Sequence, residues 1–416
     1  NQNEGGSIQT AIDAIDNRGV GQNTINVGAG TFEEALSIDK NLTLQGNGRS
    51  STIIQAPGPL DLNLPHILKG IVEVNGAEDV NIKNLSIDGD NRANNGAGSF
   101  EGLVFYNSGG LVDDVRIFDV QVNNASGSQY GTGIFAFNPG GSNNSLTVTD
   151  SRIESFQKNG ITAIGSGLTA IIDNNEIVGR GATDTIFQNG IQIGSEFYGG
   201  AYAKIKYNTS SQIGYIHPKH TGGNHIRISS AADGAVIENN TMKGTGRDTG
   251  ISISDTKTFI RNNNIVDGAA FGVYAFNADE TEITGGNRFR NMVDTHGANG
   301  QGYGIVPSDG TKDMIIEGNV FKNNASADIS VPTGNTVSSI TGNSFEGSPT
   351  FIKNTAGSLI IDVADNTFNG SMFSGGSFNP DQDVTNPGNL GSADVENFFA
   401  LEDKLLHVLD DSSYGT

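Results

Sequence analysis

Apolar and polar residues alternate along most of this chain in short runs, each broken by Asn, Asp or Gly. One unit recurs: an apolar residue, Asn or Asp, a variable position, another apolar residue, then often Gly. It reads IKNLSIDG (82–89), IDNNEIVG (172–179), IENNTMKG (237–244) and IRNNNIVDG (260–268). It continues as ITGGNRF (283–289), IEGNVF (316–321), ITGNSF (340–345) and VADNTF (363–368). One equivalent slot is held by Leu85, Val120, Ser151, Asn175, Asn208, Asn240, Asn263, Asn287, Asn319, Asn343 and Asn366. Successive slots lie 23–24 residues apart, with longer turns of 31–35 interspersed. A fixed period of this size marks a solenoid, and period-2 alternation makes each piece a strand.

A second strand follows in each repeat, marked by Gly and then apolar-x-apolar, at Gly102, Gly133, Gly160, Gly190, Gly250, Gly272 and Gly304. Two or three short strands per turn, with Gly or Asn at the corners, predict an all-β, single-stranded parallel β-helix. With coils stacked ~4.8 Å apart, about 12 of them would share one apolar core that no single coil could bury. Asn tolerates the left-handed backbone at tight corners, and stacked amides can bond up a column. The repeated Asn therefore reads as structural.

The ends break the pattern. SIQTAIDAIDNRG (7–19) predicts an amphipathic helix with Ser7 as N-cap, so residues 1–23 are expected to cap the first coil. The β-helix is expected over 24–377. Residues 378–416 then form a Pro/Gly/Asn linker and a helix over 393–409, either a second cap or the start of a further module.

Composition narrows the class. The 416 residues carry a formal charge of −22 and no cysteine. This excludes a disulfide framework and a thiolate metal site, and argues against a nucleic-acid partner, which would need a basic footprint. No apolar run is long enough to span a membrane. The chain opens at Asn1, as a processed or excised product would. An extracellular or cell-surface location is expected.

The segment TINVGAGTFEEALSIDKNLTLQG (24–46) resembles the opening coils of right-handed parallel β-helix proteins of the pectate-lyase-like superfold. FQKNGITAIGSGLTAIIDNNEIVGRG and IFQNGIQIG resemble a motif of bacterial secreted β-helix repeat proteins. The resemblance covers nearly the whole chain and is specific for architecture. For activity it implies only a range, because this superfold hosts lyases, hydrolases, epimerases, esterases and non-catalytic surface modules.

The long turns suggest where a site would lie. Their extra residues, 88–101, 123–132, 178–189, 211–223 and 291–303, all fall between the Asn-containing strand and the Gly-marked strand. Insertions at one phase of a coil project from one side. They would wall a groove floored by outward residues of the Gly-marked strands, including Phe135, Phe137, Gln192, Arg227 and Tyr274. Exposed aromatics and scattered polar groups suit a polysaccharide.

Between Phe197 and Ala232 there is no Asp or Glu, whereas three of the six histidines fall in HPKHTGGNHIR (217–227). His217, His220, His225, Lys158 and Arg227 are the candidate catalytic residues. Candidate substrate-binding residues are Gln188, Lys219, Tyr198, Tyr202, Tyr215, Phe135, Phe137, Gln192, Tyr274 and Asp248. His titrates near neutrality and can serve as base; Lys or Arg would neutralise a uronate carboxylate. The expected function is a lyase or epimerase acting on an acidic glycan. The alternative is a non-catalytic β-helix module for adhesion or glycan binding. The spacing of His217, His220 and His225 is a weak zinc pattern. Calcium is the cofactor that acidic turns such as Asp88-Gly89-Asp90 and Asp381-x-Asp383 suggest, although neither is a full calcium loop and both read as ordinary Asx turns. A glycoside hydrolase would need two paired acids, and Asp150, Asp173, Asp184 and Asp248 are not distinguishable on spacing.

Overall fold

The computed structural model describes residues 6–15, 23–58, 69–92, 100–122, 127, 129–216, 221–230, 234–266, 268–295, 301–354 and 359–369. The expected C-terminal linker and helix, and His217, Lys219 and His220, lie outside them. The chain divides into two compact units, Asn1–Ile216 with Ser229–Ala232, and His217–Ile228 with Asp233–Thr416.

In the first unit coils are built of three short strands, except where the first two run together as Val80–Asp88 and Gly110–Phe118. Asn144–Thr149, Arg152–Glu154 and Asn159–Ile164 form one coil. Leu168–Asp173, Glu176–Val178 and Asn189–Ile193 form the next. All pairings are parallel and in register, Leu146 opposite Ala170, Ile153 opposite Ile177 and Ile161 opposite Ile191. Identical positions thus stack on one another, so the period-2 pattern becomes columns of buried Ile, Leu and Val.

The Gly-marked sheet of this unit contains Leu36–Ile38, Gly70–Asn75, Glu101–Tyr106, Thr132–Phe137, Asn159–Ile164 and Asn189–Ile193. In the second unit it contains Asn224–Ser229, Thr249–Ser254, Phe271–Phe276, Tyr303–Ser308, Ala327–Val331 and Ile352–Asn354. Phenyl rings stack through the second unit's core: Phe289 on Phe321 at 5.1 Å, Phe321 on Phe345 at 5.0 Å and Phe345 on Phe368 at 5.2 Å.

The corner Asn does half of what the sequence implies. The left-handed residue is the one before it: Asn174 (φ 54°), Asn239 (φ 57°), Asn262 (φ 51°) and Asp365 (φ 57°). The ladder Asn that follows is buried and carries the amide column. In the second unit Nδ2 of Asn240, Asn263, Asn287, Asn319 and Asn343 each donates to Oδ1 of the next ladder Asn, at 3.0, 3.0, 2.8, 3.1 and 3.0 Å.

The N-terminal helix is shorter than expected, Ile8–Asp13, with Ser7 accepting from the Thr10 N–H. It covers an edge. Gln9 Oε1 accepts from Ser37 N (2.8 Å) and Gln9 Nε2 donates to Ser37 O (3.1 Å), so one amide pairs the backbone of the first strand of its sheet. Glu34 accepts from Ile8 N and Gln9 N at the helix start, where negative charge is favoured.

Candidate functional site

In the first unit three of the five long turns share one phase. Residues 88–101, 123–132 and 178–189 in the first unit, and 291–303 in the second, all precede a strand of the Gly-marked sheet. These turns therefore border that sheet's outward face.

In the first unit the register defines three columns on this face. Glu73, Val104, Phe135, Thr162 and Gln192 lie opposite one another in turn. Beside them run Glu101, Thr132, Asn159 and Asn189. On the other side run Asn75, Tyr106, Phe137 and Ile164. The amides interlock: Asn189 Nδ2 donates to Asn159 Oδ1 (2.9 Å) and Gln192 Oε1 (3.2 Å), and Asn159 Nδ2 to Thr162 Oγ1 (2.9 Å). Phe137 is the hub of the aromatic column, edge-on to Tyr106 (5.8 Å), Phe135 (6.1 Å) and Tyr198 (4.9 Å). Tyr198 sits on a short finger closed by reciprocal backbone bonds between Ser195 and Gly199. It is 56% exposed, and Phe197 at the tip is 87% exposed.

Two carboxyl groups on this face were not singled out from the sequence. Glu101 is buried and accepts from Thr132 N at 2.5 Å; burial still pushes it up to about 8. Glu73, on the adjacent strand, is pushed up to about 7 by burial. Both stand at outward positions of strands whose other outward residues are apolar or amide, and that is the only signal the sequence held.

Several candidate residues stand elsewhere than expected. Gln188 is fully buried and closes its own loop, accepting from Arg180 N and donating to Gly181 O (both 3.3 Å), so it offers nothing to a ligand. Lys158 Nζ donates to Phe187 O (2.8 Å) and lies over the Phe187 ring, which packs near Tyr215. Tyr202 is on the other sheet, opposite Thr169, with Lys204 over its ring.

In the second unit, His225 and Asp248 are both fully buried and joined Nε2 to Oδ2 at 2.8 Å, with Thr245 N also donating to Asp248. His225 holds the slot that marker Gly takes in other coils, which directs the ring inward instead of onto the groove floor. Arg227 is half-buried on the outward face between the core residues Ile226 and Ile228. Tyr274 donates to Ser308 Oγ (3.1 Å) and packs edge-on to Phe271.

The paired-acid candidates part as well. Asp150 accepts from Asn174 at a corner, Asp173 pairs with Lys206, Asp184 is exposed on a loop, and Asp248 is bound to His225. Asp88 accepts from Asp90 N (2.8 Å) and Gln55 Nε2 (3.0 Å), an Asx turn; Asp381 and Asp383 lie outside the described residues. Among the described residues no group of three His, Cys, Asp or Glu is placed to hold a metal ion.

The model of the right handed beta helix region family matches residues 189–371. No curated protein matches the chain in sequence. Among solved structures, the catalytic unit of a thermostable GH87 alpha-1,3-glucanase from Streptomyces thermodiastaticus strain HF3-3 is 14% identical over 88% of this chain and 69% of that one, with a TM-score of 0.59. A GH87 alpha-1,3-glucanase catalytic domain in complex with nigerose is 14% identical over 86% of this chain and 67% of that one, with a TM-score of 0.58. The A-module of a mannuronan C-5 epimerase from Azotobacter vinelandii is 15% identical over 87% of this chain and 95% of that one, with a TM-score of 0.48. At such identities the likeness is one of fold. The parallel, in-register columns and the likeness in fold to the two glucanase structures give the chain the fold of a right-handed parallel β-helix.

Proposed function

We propose that this chain acts on a polysaccharide at the outward face of the Gly-marked sheet in its first unit. One observation carries the reading: two carboxyl groups raised by burial, Glu73 to about 7 and Glu101 to about 8, share that face with an open cluster of aromatic rings. Tyr106, Phe137 and Tyr198 suit the apolar faces of pyranose rings, and the Asn159–Asn189–Gln192 amides suit their hydroxyls. Glu101, protonated through the neutral range, is suited to protonate a glycosidic oxygen. Glu73, which changes state near 7, is suited to move the second proton. Acid–base carboxyl chemistry of this kind is the requirement of glycoside cleavage, and two structural neighbours that are alpha-1,3-glucanases agree with a glycan substrate. An extracellular or cell-surface location goes with such a substrate.

A second reading, a lyase or epimerase on uronates, is favoured by Arg227. Its guanidinium stands on the outward face of the second unit's sheet and makes no ion pair among the described residues, as a group that neutralises a carboxylate would. The readings separate on products. A panel of neutral and uronate polysaccharides is incubated with the protein, with and without added Ca²⁺. New reducing ends without ultraviolet absorbance support hydrolysis, and an unsaturated chromophore supports the lyase. Binding without turnover identifies a non-catalytic module, and no binding to any glycan overturns the proposal.

A further inference from the structure

The loop 179–188 of the first unit carries a guanidinium with unusual surroundings. Arg180 Nη1 is buried and has no hydrogen-bond partner. The loop around it is firmly held. Gln188 Oε1 accepts from Arg180 N, Gln188 Nε2 donates to Gly181 O, and Gly181 N donates to Gln212 O at 2.9 Å. At the next residue back, Phe187 O accepts from Lys158 Nζ, which brings a second cation to the same loop. Thr183 Oγ1 accepts from Ile186 N (3.2 Å), and Ile216 N donates to Thr183 O (2.6 Å). The loop ends at Asn189, whose amide belongs to the polar network of the outward face.

A buried donor without a partner is costly, and each one in a native structure calls for an explanation. The cost shows here as a guanidinium lowered by burial. The only acid within the loop, Asp184, is exposed and forms no ion pair with Arg180 among the described residues. In a chain of net charge −22, with 46 acidic residues, a cation left without a carboxylate is not a matter of short supply. The fork of donors that guanidinium presents fits a carboxylate or a sulfate.

We propose that Arg180 is the anion-recognising residue of the loop that leads onto this face at Asn189, pairing with a carboxylate or sulfate-ester group carried by the bound glycan, with Lys158 adding local positive charge. This rests on the glycan reading above and narrows it to an acidic polymer. Arg180 is then a specificity-determining residue.

The test measures, by titration calorimetry, binding of three probes: a uronate tetrasaccharide, its fully methyl-esterified form, and a sulfated neutral tetrasaccharide. Wild-type protein is expected to bind at least one charged probe about 10-fold more tightly than the ester, and which one identifies the anion. Arg180→Gln is expected to erase that preference while keeping affinity for the ester, and Arg180→Lys to restore part of it. Phe137→Ala is expected to weaken all three probes alike. The thermal midpoint of Arg180→Gln is expected to equal or exceed the wild type's, because an unsatisfied buried donor has been removed. A purely structural arginine would lower it. Equal binding of charged and esterified probes, or a preference that survives in Arg180→Gln, overturns this inference and leaves the glycan reading standing. Failure of all three probes to bind overturns both.

Discussion

Asp328 shows how one side chain can stand against its position. It is opposite Gly304, in the slot where other coils carry the marker glycine. Its Oδ1 accepts from Asn324 Nδ2 and Ser348 Oγ, both at 2.6 Å, while Oδ2 is buried without a partner. Burial pushes the carboxyl up to about 8 from 3.8. In the unfolded chain it ionises near 3.8, so the folded state holds the extra proton between these values. Its contribution to stability is complete below about 3.8 and is lost as pH rises toward 8. Asp328→Asn is therefore expected to unfold at a higher temperature than wild type at pH 8, with the gap closing at pH 4, in thermal melts of the full chain. A gap that does not change with pH contradicts the neutral-acid assignment. The ladder makes a second prediction at this scale. Asn287→Ala removes donors to Ile260 O, Thr284 O and Asn319 Oδ1 and an acceptor for Asn263. A loss of about 1–3 kcal/mol in denaturant unfolding is expected from the groups left unsatisfied.

At the scale of the element, the marker glycines decide how closely coils approach. An added Cβ at Gly272 would lie 2.4 Å from Gly304 O and 2.5 Å from the Phe289 ring. Gly272→Ala is expected to destabilise by at least about 1–3 kcal/mol, read as a lower denaturation midpoint. Gly310→Ala, with nothing within 4 Å, carries only its backbone strain and is expected to cost less. The strand columns and the phase of the long turns were legible in the sequence because parallel stacking repeats them every coil. The site was less so. Asn, Gln and His at a repeat position look alike whether they face ligand or core. His225 was drawn inward by the glycine slot it holds, Asp248 is buried in its pairing with His225, and Gln188 is held by its own loop. Glu73, Glu101 and Asp328 owe their chemistry to burial, which single positions do not announce. A break in the marker-Gly column at 328 was the available sign for the last.

For the molecule as a whole, a scaffold that is polar and acidic overall carries, in its first unit, one face where burial raises two carboxyl groups into the neutral range. A net charge of −22 sits on side chains that water and salt screen; Glu73 and Glu101 differ because they are withdrawn from both. That difference makes acid–base work near neutrality possible on a chain with few histidines. The most direct measurement is the rate of polysaccharide breakdown by wild type and Glu73→Gln across pH, with thermal melts to show both folded. A wild-type rate that changes around pH 7 is expected, with a loss of about 10²–10⁴-fold in the variant and glycan affinity retained. Turnover that is indifferent to Glu73→Gln, at unchanged pH dependence, would contradict it.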